Sequence, residues 1–299
     1  MTKDGKIKVE EIITEQILAA LDSGVAPWQQ PWAAAGAHTN LKSKKAYRGI
    51  NQLLLGFSAM SQGFGSPYWV SYKQAEAMGG QVRKGEKSTI VTFWKRLKIE
   101  EKQPDNTKLE KTIGLLRYYR VFNVEQCDGL EGKIPAVPEA VEFDPIEAAE
   151  EIVAGMPNCP PIQNGGDAAF YSPSADKVGM PKRESFKSGE AYYASLLHEL
   201  VHSTGHTSRL NRDGVMKSAG FGSEVYSKEE LVAEIGAAFL CGHSGILDIV
   251  FDNSASYIKS WRDKIAADPK LIVKAAGEAQ KATDYILGIT WDNDKGEDN

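Results

Sequence analysis

Residues 198–206 read His198-Glu199-Leu200-Val201-His202-Ser203-Thr204-Gly205-His206, which gathers three of the chain's five histidines into nine positions. If the segment is helical, the four-residue spacing sets His198 above His202 on one face, where two imidazoles can grip one metal ion. Glu199 then lies about a hundred degrees round the helix, within reach of a metal-bound water rather than of the metal. The preceding run supports the helix: Tyr193, Leu197 and Val201 recur at fourfold spacing with Leu196 and Leu200 beside them, an apolar stripe of helical period. Ser188 is the expected N-cap and Gly205 the expected stop. The alternative is a chance pattern around two core histidines, which leaves the downstream sequence unexplained.

Downstream stands Ser227-Lys-Glu-Glu-Leu-Val-Ala-Glu-Ile-Gly-Ala-Ala-Phe-Leu-Cys241. Two histidines need a third protein ligand that still leaves an open position. Glu230 is expected to supply it, with Glu234 as a carboxylate that orients a ligating histidine. Glu234 lies in an apolar run where an unpaired carboxylate is costly. Glu229 and Glu234 are the alternative ligands, and a Ser227–Glu230 capping box is the alternative account of Glu230. His206 is expected beside the site or at the surface. In the metzincin signature a third histidine follows the glycine by three residues, and here that position is Ser208. His243 and His38 read as structural.

The 299 residues suit one large domain or two medium ones. No apolar run approaches a membrane span, and the N-terminus is too polar for a secretory signal. Three widely spaced cysteines, Cys127, Cys159 and Cys241, read as reduced thiols in a cytoplasmic protein. Charge is uneven. Residues 1–130 carry 19 Lys and Arg against 13 Asp and Glu, whereas the remainder carries 16 against 27. Such asymmetry points to two units, one of which meets a polyanion. A Gly- and Pro-punctuated stretch then divides the chain into residues 1–130, a linker at 131–143 and residues 144–299. Asp144 and Pro145 open a helix, and Ala168–Ser172 is the candidate strand beside the His198 helix.

The basic half begins with a helix from Val9 to Leu21. It continues through Trp28, Trp32, Tyr47, Trp69 and Trp94, interleaved with Lys44, Lys45, Arg48, Lys73, Arg83, Lys84, Lys87 and Lys95. Aromatic faces stack unpaired bases and cations track phosphates, so these residues are the candidate contacts to single-stranded DNA. Ser88–Lys95 and Leu115–Val124 read as paired strands, with the polar stretch Lys98–Lys111 as an exposed excursion between them. Two helices, near residues 256–261 and 273–287, finish the chain. The expected class is α+β: a small mixed N-terminal domain with an antiparallel sheet, then a helix-rich domain.

Tyr47-Arg-Gly-Ile-Asn51, Ser71–Ala75, Val82–Lys87 and Tyr119–Leu130 resemble the N-terminal region of ArdC-type antirestriction proteins and part of some plasmid primases. His198–His206 and Glu229–Glu234 resemble the same family's C-terminal zincin-like domain. The resemblance implies a plasmid-encoded protein that shields incoming conjugative DNA from restriction. Its N-terminal domain would bind single-stranded DNA and its C-terminal domain would be metalloprotease-like, similar to the SprT/Spartan group. The expected cofactor is Zn2+, with another divalent ion such as Mn2+ as the alternative. The expected partners are single-stranded DNA and a protein substrate, with no membrane. The rival readings are a non-enzymatic strand-coating protein with a structural metal, and a replication or primase accessory.

Overall fold

The computed structural model describes residues 8–29, 37–102, 108–135, 145–216, 224–246 and 255–290. The chain opens with helix α1 (Val9–Asp22), whose stripe Ile13, Ile17, Ala20 and Leu21 is buried, as the periodicity requires. A single 3-10 turn, Pro27–Gln29, follows. The rest of the N-terminal half comprises β1 (Thr39–Asn40), α2 (Ile50–Gln62), β2 (Tyr68–Val70), α3 (Tyr72–Ala77), β3 (Gln81–Val82), β4 (Thr89–Lys102), β5 (Lys108–Asn123) and β6 (Cys127–Asp128). One sheet has the order β1-β2-β5-β4 and a second pairs β3 with β6.

The β4–β5 ladder is antiparallel and runs from Thr89↔Val121 to Lys102↔Lys108. The polar stretch expected as an excursion therefore continues both strands over most of its length. Backbone pairing can sustain a two-stranded ribbon without the apolar face that an alternating pattern would advertise.

The C-terminal half comprises α4 (Pro145–Gly155), β7 (Ile162–Gly166), β8 (Phe170–Ser172), β9 (Lys177–Pro181), α5 (Gly189–Ser203), α6 (Asp213–Met216), α7 (Glu224–Ser244), α8 (Ala255–Ala267) and α9 (Leu271–Ile286). Its small sheet has the order β7-β9-β8, with β7 parallel and β8 antiparallel to β9. The edge strand β8 packs on α5, where the sequence placed it. The fold is α+β, with most strands in the N-terminal half and most helix in the C-terminal half.

Two glycines set how the elements around the site meet. A Cβ on Gly236 of α7 would stand 2.9 Å from both γ-carbons of Val201 on α5, so glycine there is what lets these helices cross closely. A Cβ on Gly205 would stand 2.4 Å from Val215 Cγ2. Gly205 has no positive φ, and α5 ends at Ser203 with Thr204 as its C-cap. Gly205 thus serves close packing rather than the left-handed stop that its position advertised.

The apolar interior crosses the division drawn from composition. Ile13, Ile17, Trp28, Ile50, Leu53 and Leu116 belong to one buried cluster with Leu197, Leu200, Leu231, Trp261 and Ile272. Polar ties follow the same route: Arg48 pairs with Asp284, and the Gly49 amide donates to Gln280 at 2.9 Å. One buried cluster thus spans the halves of opposite charge, while two smaller ones lie wholly in the N-terminal half. No helix among the described residues is long and apolar enough to cross a membrane.

Candidate metal centre

Helix α5 begins where Ser188 accepts a hydrogen bond from the Ala191 amide. It buries Tyr193, Leu197, Leu200 and Val201 and leaves His198, Glu199 and His202 half-buried on its other side. His198 and His202 bring their Nε2 atoms to 3.2 Å. Glu230 on α7 closes the group, with carboxylate oxygens 3.7 Å from His198 Nε2 and 3.5 Å from His202 Nε2. One donor atom from each of the three lies within 4.8 Å of the others.

These edges fit a cation. Zinc–nitrogen and zinc–oxygen bonds of about 2.0–2.2 Å in a tetrahedron require donor–donor edges of roughly 3.3–3.6 Å. Neutral imidazole nitrogens 3.2 Å apart would oppose their lone pairs unless a proton or a cation lay between them. The alternative account of Glu230, a Ser227–Glu230 capping box, does not hold, because α7 spans Glu224–Ser244 and Ser227 lies inside it. Glu230 is thereby presented from the helix body toward α5.

Support for the histidines departs from expectation. Glu229, not Glu234, stands beside a ligand candidate: its Oε1 is 3.5 Å from His202 Nδ1. Arg212 holds Glu229 from behind with two guanidinium nitrogens, one at 3.1 Å, and donates to Thr204 Oγ1 and the Val201 carbonyl at 2.6 and 2.8 Å. Burial opposes charge on both partners, yet the pair overcomes it. Glu229 titrates below the usual carboxylate range because His202 and Arg212 donate to it. The His202 pKa is raised despite burial by Glu229, Glu230 and Glu199. Glu234 instead accepts from Trp28 Nε1 at 2.9 Å and from the Tyr257 hydroxyl. Among the described residues no hydrogen bond joins it to either histidine.

His206 turns away from the centre to Ser208 Oγ, 2.8 Å from Nδ1, and toward Asp176. His38 is buried and accepts from Trp69 Nε1 at 3.1 Å, and burial holds its pKa down to about 4. Glu199 and His198 line a cleft of about 410 Å3 together with Ala169, Phe186, Ala191 and Ala194.

The candidate DNA contacts divide. Trp28 and Trp69 are 0% exposed and Tyr47 is buried with its hydroxyl on Asn40, so none of the three offers a stacking face. Composition could not separate core aromatics from surface ones. Arg48 is paired with Asp284, and Arg83 with Glu86 and Asp128, so their charges are matched internally. Trp32 lies outside the described residues. Lys44, Lys45, Lys73, Lys84, Lys87 and Lys95 are exposed.

Trp94 is 62% exposed on β4. Register puts Tyr118 on the same face, since Thr92 faces Tyr118 and Trp94 faces Leu116. Tyr118 is 40% exposed and lies under the Arg120 guanidinium at 6.0 Å. Composition does not single out Tyr118 and Arg120, although the period-2 parity of β5 joins them.

Arg212→Met leaves Glu229 buried without its cation, and removing one partner of such a pair costs about 3–5 kcal/mol. Because Glu229 titrates low in the fold, its contribution is present above the ordinary carboxylate pKa and disappears as pH falls through the depressed value. Urea unfolding of the metal-free protein should show the full loss at neutral pH and a smaller one in acid. Equal stability at neutral pH would remove the pair from any supporting role.

Comparison with known proteins agrees with this layout. Residues 7–122 match the family described as the N-terminal domain of anti-restriction factor ArdC, and residues 147–278 match the zincin-like metallopeptidase family. The uncharacterized protein y4eC of Sinorhizobium fredii is 37% identical over 287 residues, covering 93% of this chain and 91% of that protein. Two DNA primases TraC from Escherichia coli are 37% and 38% identical, again over 93% of this chain. The chain spans only 20% and 27% of those primases' length.

The metal-free crystal structure of antirestriction ArdC from plasmid R388 superposes with a TM-score of 0.76 at 35% identity, covering 95% of this chain and 100% of that one. Its Mn(II)-bound form gives 0.73 at 36% identity, covering 94% and 98%. The chain therefore belongs to the ArdC antirestriction family and carries that family's N-terminal domain ahead of a zincin-like metallopeptidase domain.

Proposed function

We propose that the protein binds single-stranded DNA through its N-terminal half and hydrolyses peptide bonds at the His198–His202–Glu230 centre, protecting incoming plasmid DNA from restriction. The observation that carries this reading is the convergence of three donor atoms within 4.8 Å, with Glu199 in the adjoining cleft. Two imidazoles and a carboxylate suit Zn2+ or Mn2+, and the Mn(II)-bound form of the R388 relative supports the second. A cation held by these residues supplies Lewis acidity to a peptide carbonyl and acidifies water.

The protein's own groups do the remainder. Glu199 shares the cleft with His198 but is not one of the three converging donors. Its carboxylate serves as the base that takes a proton from water and returns it to the leaving amine. Glu229 and Arg212 hold His202 in one orientation, as supporting carboxylates do for ligating histidines. Ala169, Phe186, Ala191 and Ala194 give the cleft an apolar side, and Ser185, Lys187 and Ser195 complete its lining.

On the DNA side, Trp94 and Tyr118 are exposed on one side of the β4–β5 ribbon, Trp94 over Gly114 and Tyr118 beside Arg120. Each stacked base is worth about 1–3 kcal/mol, and Arg120 and the exposed lysines supply charge for phosphates. Strand binding would raise the local concentration of DNA-bound protein substrates.

Glu199→Gln keeps the donor set intact. It should therefore bind metal and single-stranded DNA as wild type does while losing cleavage of a casein or peptide-library substrate; persistent cleavage would strip Glu199 of its role. The same variant addresses the strand-coating alternative. That alternative requires full protection against restriction by Glu199→Gln and loss of protection on charge reversal at Lys84 and Lys87. For the DNA face, Trp94→Ala and Tyr118→Ala should each weaken oligothymidylate binding by about 1–3 kcal/mol, read by fluorescence anisotropy. Wild-type affinity in both would move the binding face elsewhere.

A further inference from the structure

The link between Glu234 and Trp28 joins residues 206 positions apart. Trp28 sits in the 3-10 turn after α1, fully buried, with its indole edge-on to Trp261 at 6.2 Å. Its Nε1–H donates to Glu234 Oε2 at 2.9 Å, and the Tyr257 hydroxyl of α8 donates to the same oxygen. A third approach, Trp28 Nε1 to Tyr257 Oη at 3.4 Å, closes the triangle. Two donors on one carboxylate oxygen fix the side chain's rotation and offset the cost of burying it. Glu234 is one helical turn beyond Glu230, so the two carboxylates leave successive turns on the same side of α7, Glu230 toward α5 and Glu234 toward Trp28 and α8. Burial pushes the Glu234 carboxyl pKa up, and the hydrogen bond from Tyr257 opposes that rise. Filling space would need only an indole ring here. The N–H aimed at a buried carboxylate is the unexplained part.

We infer that Trp28 is a positioning residue of the metal centre: the N-terminal half supplies the hydrogen bond that, with Tyr257, holds Glu234 in place beside the ligand set. The zincin-like part of the chain is then incomplete by itself, because the carboxyl group one turn from Glu230 is oriented by a residue from the ArdC N-terminal region. The inference rests on the reading of His198, His202 and Glu230 as metal ligands. It predicts that losing a single N–H, one helical turn along α7 from Glu230, is felt at the cation.

The test uses the full chain and two probes, Mn(II) titration followed by electron paramagnetic resonance and the visible spectrum of the Co(II)-loaded protein. Trp28→Phe keeps an aromatic ring and removes the donor. It should weaken Mn(II) binding about tenfold, the lower end of what supporting residues contribute, and shift the Co(II) bands, while oligothymidylate affinity stays at the wild-type value. Glu234→Gln should do the same, and the double variant should be no weaker than the weaker single, since both break one link. Ile17→Val, a core change on α1, controls for general loosening and should leave the Co(II) spectrum alone.

Should Trp28→Phe fail to fold, Tyr257→Phe removes the second donor from the same oxygen and carries the same expectation. Wild-type Mn(II) affinity and an unshifted Co(II) spectrum in Trp28→Phe would overturn the inference, as would equal effects from Ile17→Val. If the wild-type protein bound neither cation, the metal-centre reading itself would fall, and this inference with it.

Discussion

Two imidazoles and a carboxylate meet at the crossing of α5 and α7, and the rest of the molecule answers to that meeting. The gap calls for a positive charge: nitrogens 3.2 Å apart oppose their lone pairs unless a proton or a cation lies between them, and Glu230 brings an anion into the same partly desolvated space. Close helix approach is the condition for it. Gly236 provides that approach by leaving room for Val201, with α5 and α7 buried along the contact. The direction of Glu230 is set by how α7 packs on α5, with Gly236 against Val201, and Ser227 lies inside α7 rather than at its cap.

Around this crossing the protein places a graded set of charges. Arg212 keeps Glu229 ionised, and Glu229 stands against His202. On the His198 side Glu234 is held by Trp28 and Tyr257. The two flanks differ in origin. Arg212 lies in the segment just after the His198 helix, whereas Trp28 arrives from the other end of the chain. A shared apolar interior makes that reach possible, because α1, the turn at Trp28 and α2 pack into the helical half. The N-terminal half thus contributes to the centre as well as offering an exposed aromatic ribbon.

Much of this was legible in the sequence where period and chemistry coincide. The His198–His202 spacing, the apolar stripe behind it and the Ser188 cap define α5 without ambiguity. Glu230 could be nominated, but the choice among Glu229, Glu230 and Glu234 depended on which face α7 turns to α5, and that is set by packing between the helices rather than by local sequence. Hence Glu229 and Glu234 appear in roles other than those expected. Arg212 was invisible because nothing local ties an arginine ten residues past His202 to a carboxylate on the next long helix. Among aromatics, composition marks a concentration but not a side. Trp28 and Trp69 went inside, while Trp94 stayed out, and only strand register shows that Tyr118 stands beside it. The continuation of the ribbon through polar residues was missed because backbone pairing leaves no hydrophobic trace.

The central claim is that His198, His202 and Glu230 converge on one divalent cation, and anomalous diffraction from crystals soaked in Mn(II) or Zn(II) tests it most directly. The account predicts one strong peak about 2.0–2.2 Å from an imidazole nitrogen of each histidine and from a Glu230 oxygen. A peak bound instead through Glu229, Glu234 or His206, or no peak between α5 and α7 at saturating metal, would contradict it.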